Sequence, residues 1–413
     1  MADIRNYTRE KEKRDKIKES GRGRLRLVKS ESEDTYQEKI RKHRLSHFYR
    51  IALVVLACAA IVIIVAVQYN NKIYEDYNIV ATVGKVTVNG TTDVALGNCI
   101  LTYSKDGARC TDTEGNVLWD QTYEMQSPIV SVCRDVVAIG DYNGRTIYVQ
   151  SAEKQLGIIN TNLPIRNLCV AQNGVVAAML EDGEITKIHV YDANGKELLI
   201  FKTTMRNFGF PISVSLSPDA VLCAVSYIYM DAGEMKSSVA FYNFGEYGQN
   251  QADNLVGGFD YTDTLIPYVQ YMNKDTAFAV GDDRVVFFAG SQVPERLAMH
   301  LYDTEIRGVY YNEEYVGVVS YNDASESRYL FSVYDSSGTL VTTKEFNMDY
   351  ADIVFDEDTY IIYNEEECII TTMKGVEKYN GTFKEQIRLL VPAGGKYRYT
   401  LVTDDSVDVI MMK

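Results

Sequence analysis

Two histidines, His189 in "KIHVY" and His300 in "AMHLY", follow the long apolar run at residues 51–67, and each lies in a short Val/Tyr/Leu-rich segment that reads as a strand. Neither has cysteines or an acidic pair at metal-site spacing, so both are expected to be core or strand-face histidines. The acidic clusters Asp282-Asp283, Asp356 to Asp358 and Glu365 to Glu367 lack the alternating oxygen ligands around a glycine that a calcium loop needs, and read as a solvated face. No Gly-x-Ser-x-Gly elbow, phosphate loop or HExxH helix occurs. The seven cysteines are Cys58 and, beyond it, Cys99, Cys110, Cys133, Cys169, Cys223 and Cys368, an even number that permits disulfides. A hairpin turning at Asp106-Gly107 would pair Cys110 with Tyr103 and not with Cys99, so most are expected to be buried thiols in apolar strands. No catalytic residue, cofactor or metal is expected, and the 31 tyrosines suit half-buried strand surfaces.

The elements that carry these residues are short. Apolar segments rich in Val, Ile and Tyr are separated at intervals of about ten residues by turn dipeptides. "VYDANGKELLIF" from Val190 and "VYDSSGTLVTTKEF" from Val333 repeat one hairpin about 140 residues apart, and "CTDTEGNVLW" from Cys110 writes it again. Further turns stand at Asp106-Gly107, Asp141 to Gly144, Ser151 to Lys154 and Asp182-Gly183, where Gly supplies positive φ and Asp or Ser can bond the backbone two residues on. The repeats group into meanders of about 30 to 50 residues, the period of propeller blades. Inner strands are predicted near Val94 to Thr102, Ile129 to Cys133, Arg166 to Ala171, Ile212 to Ser217, Ile266 to Tyr271, Arg307 to Tyr311, Asp352 to Phe355 and Ile387 to Val391. The last unit supplies three strands, and Ile79 to Val88 would supply the fourth, closing the ring without a free edge. The expected fold is all-β: an eight-bladed β-propeller over 79–413, seven blades being the alternative because the boundary inside 250–300 is weak.

"VSLSPDAVLCAVS" from Val214 resembles the Ser-Pro-Asp-Gly step of WD40-like propellers, with Ala220 in place of the usual glycine. "VYDANGKEL" and "DTEGNVLWD" resemble the blade hairpin of quinoprotein-like propellers, with Trp119 matched in one blade only. The whole layout is similar to an uncharacterised family of single-pass, membrane-anchored propeller proteins of Gram-positive anaerobes. The resemblance implies a propeller and brings no catalytic residue with it. A quinone-dependent dehydrogenase would need a calcium held by carboxylates and a stacking Trp under the cofactor. Trp119, in an outer hairpin, offers no such floor.

Charge and hydropathy then place the domains. Residues 1–50 hold 16 Lys/Arg against 9 Asp/Glu, which leaves 26 against 48 for the rest of a chain whose totals are 42 and 57. Between the two lies "IALVVLACAAIVIIVAV", residues 51–67, uncharged and without a polar stripe, long enough at about 1.5 Å per residue for the hydrocarbon layer once flanking aromatics are counted. Arg41, Lys42, Arg44 and Arg50 crowd its N-terminal side, which predicts a cytoplasmic N-terminus and an extracytoplasmic C-terminal domain at the plasma membrane. Residues 1–36 are expected to be a disordered basic tail, 37–69 a juxtamembrane and transmembrane helix held in lipid, and 70–78 a linker. "GRGRLRLVK" from Gly21 could lie on anionic lipid, with "SESEDT" from Ser30 open to phosphorylation.

One pair of loops looks built for recognition. "MRNFGFP" from Met205 and "YIYMDAGEMK" from Tyr227 should emerge on the same face of the fourth blade, clustering Arg206, Phe208, Phe210, Tyr229 and Met230. Aromatic, Met and Arg side chains are the composition of interface hot spots, although they could equally plug the channel mouth. The sequence therefore reads as a non-catalytic binding platform for an envelope protein or cell-wall polymer, with no nucleic acid partner. The alternatives are a sensor that reports ligand binding to the cytoplasmic tail and, further off, the dehydrogenase.

Overall fold

The computed structural model describes residues 33–85, 90–183, 185–201 and 209–413. The first 32 residues, including "GRGRLRLVK", lie outside them. The chain divides into two units, 1–72 and 73–413. In the first, one helix runs Glu33–Asn70 over 38 residues, about 57 Å at the helical rise. It contains Ile40–Val65, among the described residues the one helix long and apolar enough to cross a membrane.

In the second unit, 32 described strands form eight four-stranded antiparallel sheets, each a blade. The blades span 92–122, 128–160, 165–201, 210–261, 268–301, 306–346, 352–382 and 389–412, and are numbered one to eight in that order. The eighth takes its outermost strand from the other end of the unit: Tyr77–Gly84 pairs with Ser406–Met412, Ile79 opposite Ile410. The inner strand of blade 8, Leu389–Pro392, meets that of blade 1, Thr92–Leu96, which closes the ring. A buried ion cluster locks this seam. Asp93, with a fully buried side chain, takes Lys85 Nζ at 2.7 Å and Arg388 Nε at 3.0 Å, and Thr102 Oγ1 donates to its other oxygen at 2.5 Å.

An inner strand has one edge without a sheet partner, and its N–H groups must be satisfied from elsewhere. Serines of neighbouring blades do this. Ser131 Oγ accepts from Val170 N at 3.1 Å, Ser213 Oγ from Val269 N at 3.2 Å and Ser215 Oγ from Tyr271 N at 2.9 Å.

The repeated hairpin is the turn between the third and fourth strands of a blade. Asp112, Asp192 and Asp335 each accept from two backbone N–H groups of their own turn at 2.8 to 2.9 Å, and Gly115, Gly195 and Gly338 follow with φ of 83°, 85° and 78°. The turn is bare because it docks on the outer strand of the preceding blade. A Cβ at Gly115 would stand 2.2 Å from Val83 Cγ1, and one at Gly338 would stand 2.6 Å from Ala298 Cβ. Small residues at this turn therefore let blades stack, which is why the motif recurs.

Three sequence expectations change. The predicted inner strand Val94 to Thr102 is two strands, Thr92–Leu96 and Cys99–Tyr103, bent at Gly97 (φ 58°). The next hairpin turns over four residues, with Ser104 N bonded to Gly107 O and Tyr103 opposite Ala108, so Cys110 faces Leu101 instead of Tyr103. That shift of two leaves Cys99 diagonal to Cys110; burial first, and Cys99 second, pushes the Cys110 thiol up to about 12. All seven cysteines are free thiols, with Cys110, Cys169, Cys223 and Cys368 buried. Finally, Asp283, though about half exposed, has a structural partner that the acidic cluster did not reveal. With Asp263 it clamps the buried Arg284, at 2.7 and 3.0 Å, and the Arg284 hydrogen bond draws the Asp283 carboxyl below its usual range.

Candidate functional site

Blade 4 departs from the repeat. Its two middle strands, Leu222–Asp231 and Glu234–Asn243, have ten residues each, whereas no other described strand exceeds eight. They join through Ala232 and Gly233, both at positive φ (54° and 89°), the two-residue turn that matches strand twist. Beyond Tyr261, which pairs with Ser237, the hairpin runs on for three residue pairs: Tyr229 with Lys236, Met230 with Met235, and Asp231 with Glu234. That is roughly 10 Å of ribbon. Lys236 Nζ reaches across to Asp231 Oδ2 at 2.6 Å and holds the tip together.

The inner strand of the blade begins beside this hairpin, with Phe210 opposite Ile228. Gly209, at φ 88°, lets the chain pass, since a Cβ there would lie 2.3 Å from Ile228 O. A groove of about 850 Å³ results, lined by Phe210, Tyr229, Met230 and Met235 with Leu255 and Phe259 of the outer strand. Met230 is 65% exposed, Met235 54% and Phe210 43%, and their clustering around one groove leaves an apolar patch in water. Asp231 and Asp260 also line it, and no lysine or arginine does among the described residues. Partial burial, and after it the charge of Asp260, raises the Tyr229 hydroxyl above its ordinary range.

The structure thus brings Phe210, Tyr229 and Met230 of the sequence-derived set to one groove. Arg206 and Phe208 lie outside the described residues. Met235 was legible as the cross-strand partner of Met230 once the Asp-Ala-Gly-Glu turn is read as two-residue. Leu255, Phe259 and Asp260 were not, because they follow an insertion at 244–254 that hides the outer strand.

The groove is separate from the central channel. A cavity of about 690 Å³ on the axis is lined by inner-strand residues of blades 1 to 6, among them Ser131, Asn167, Ser213 and Gln270, and by none of the groove residues. Phe210, Tyr229 and Met230 therefore do not plug it. One channel mouth carries a forked ion pair between opposite blades: Arg134 of blade 2 bonds Glu313 of blade 6 through Nε (2.6 Å) and Nη2 (2.8 Å), and its Nη1 bonds Gln172 at 2.5 Å.

His189, His300 and Trp119 are each engaged within or between blades. His189 Nδ1 meets Glu197 Oε2 at 2.8 Å and Tyr191 Oη at 3.2 Å inside blade 3. His300 Nε2 meets Gly338 O at 2.6 Å, and Trp119 Nε1 donates to Ser151 O at 2.8 Å, each tying an outer strand to the next blade. No group of three or more His, Cys, Asp or Glu is placed to hold a metal ion among the described residues.

A family model, described as a family of unknown function (DUF5711), matches residues 70–412, most of the chain. The chain belongs to DUF5711. No curated protein matches it. Among solved structures, this DUF5711 chain is similar to Sqt1 from Chaetomium thermophilum, at 12% identity and a TM-score of 0.52 over 82% of this chain and 98% of that one. The same protein bound to the N-terminus of ribosomal protein L10 gives 0.51 over 82% and 100%. BamB from Moraxella catarrhalis gives 0.47 at 10% identity over 82% and 100%. Likeness at this identity establishes the propeller fold alone.

Proposed function

We propose that this chain is a single-pass plasma-membrane protein whose propeller stands outside the membrane as a non-catalytic docking platform for an envelope protein. The observation that carries the reading is the groove at the tip of blade 4, where Met230 and Met235 stand exposed on an extended hairpin and Phe210 stands exposed on the inner strand beside it. Methionine and aromatic side chains give a large, adaptable apolar contact area, and the paired ribbon beneath them lowers the backbone cost of ordering. The apolar helix Ile40–Val65, with Arg41, Lys42 and Arg44 at its start, supports an anchor with a cytoplasmic N-terminus. The anchor would confine the disc to the membrane surface and raise its effective concentration toward a partner held there. Sqt1, a propeller of the same fold class, is seen bound to a peptide terminus of another protein, which is consistent with a protein partner here.

The test is photo-crosslinking in intact cells from a reactive residue placed at Met230, with a C-terminal tag for recovery. One defined envelope protein, lost on Phe210→Ala/Tyr229→Ala, is the expected result. Recovery of lipid and bulk wall alone would sink the protein-docking reading.

A further inference from the structure

Resting on that reading, we infer that the blade 4 groove takes an extended, cationic peptide segment whose apolar side chains enter it. Three observations carry this. The first is charge. Lys236, the one cation at the ribbon tip among the described residues, is shared by Asp231 and Glu234, and Asp260 adds a further carboxylate to the groove. The domain behind them shares an excess of 48 Asp/Glu over 26 Lys/Arg after residue 50. Such a surface draws cations and rejects anionic lipid and acidic protein. The second is the backbone. Register with the outer strand stops at Tyr261 opposite Ser237, so among the described residues Glu234, Met235 and Lys236 pair on one side only, with Tyr229 to Asp231. A short free strand edge beside an apolar groove is what strand addition requires: main-chain bonds hold the peptide and alternate side chains enter the groove. The third is composition. Met230, Met235 and Phe259 can repack around differing aliphatic or aromatic residues, so the groove reads the pattern, apolar alternating with basic, more than one sequence.

The experiment uses the full chain in nanodiscs of zwitterionic lipid and a fluorescent peptide alternating Lys with Phe and Leu. Its Lys→Glu and its Phe/Leu→Ser counterparts serve as comparisons. Fluorescence anisotropy should show binding of the first peptide only, weakened by added salt. Asp260→Lys should weaken it at least tenfold, and Met230→Ser/Met235→Ser should do the same; all three positions are exposed, so an unchanged melting temperature should accompany both. Equal binding of the Glu peptide, or binding indifferent to both variants, overturns the inference. So does a self-associating chain that becomes monomeric with Met230→Ser/Met235→Ser, which would make a second copy the occupant. If crosslinking from Met230 captures a protein through an acidic or neutral segment, this inference falls and the docking reading stands; if it captures no protein, the docking reading falls.

Discussion

His300 Nε2 donates to the carbonyl of Gly338 at 2.6 Å while its ring stacks on Tyr334, with centroids 4.3 Å apart. An outer-strand side chain of blade 5 thus caps the hairpin turn of blade 6. Trp119 does the same between blades 1 and 2. Two residue types that first suggest a metal ligand and a cofactor floor are fasteners between blades. His300→Phe and Trp119→Phe keep the ring and leave the carbonyl without its donor, so each should cost about 1–2 kcal/mol in urea unfolding. An unchanged midpoint in both would remove the fastener role.

The ring seam depends on Asp93. Removing the shared carboxylate leaves Lys85 and Arg388 facing each other with part of their charge unmatched, so Asp93→Ala should cost about 3–5 kcal/mol. The strand Tyr77–Gly84 should become the first site of limited proteolysis. Lys85→Met removes one arm only and should cost less. Equal protease resistance of wild type and Asp93→Ala would argue against the seam as the weak point.

Ala220 occupies a left-handed position, φ 59°, at the turn where the resembling propellers carry glycine. The turn is otherwise well bonded, with Ala220 N to Ser217 O at 2.8 Å and Leu222 N to Ser217 Oγ at 2.9 Å. An L-residue pays about 1 kcal/mol or more there, partly offset by the greater chain entropy of glycine. Ala220→Gly should raise the melting temperature by a few degrees, and Ala220→Val should lower it.

Burial, with Glu357 and Asp358 adding to it, raises the Asp356 carboxyl from its ordinary 3.8 to about 6. The folded state therefore keeps a proton that the unfolded chain has released between those values. This group's contribution is fully present below about 4 and is lost as pH rises through about 6. Asp356→Asn should gain stability relative to wild type on going from pH 4 to pH 7, as read from paired urea titrations. A constant difference between the two proteins would contradict this.

Residue order alone carries the apolar segment, the strand rhythm, the hairpin Asp-x-x-Gly and the closure of the last blade by the first strand. These are local patterns or simple counts, and each follows from dihedral preference or from alternation of side chains across a strand. It also put Phe210, Tyr229 and Met230 on one face, because alternate loops of a meander share a side. The strand rhythm favours eight blades over seven, but the insertion before Leu255 obscures the period, and the number is settled by tertiary structure. Tertiary structure alone set the Cys110 register, which depends on a four-residue loop closed by Ser104. It likewise gave Asp283 to Arg284, His300 to Gly338 and Arg134 to Glu313, pairs whose partners sit on other strands or across the ring. Charge and hydrogen-bonding capacity are written in the residue, but the partner that uses them is fixed by how blades stack around an axis.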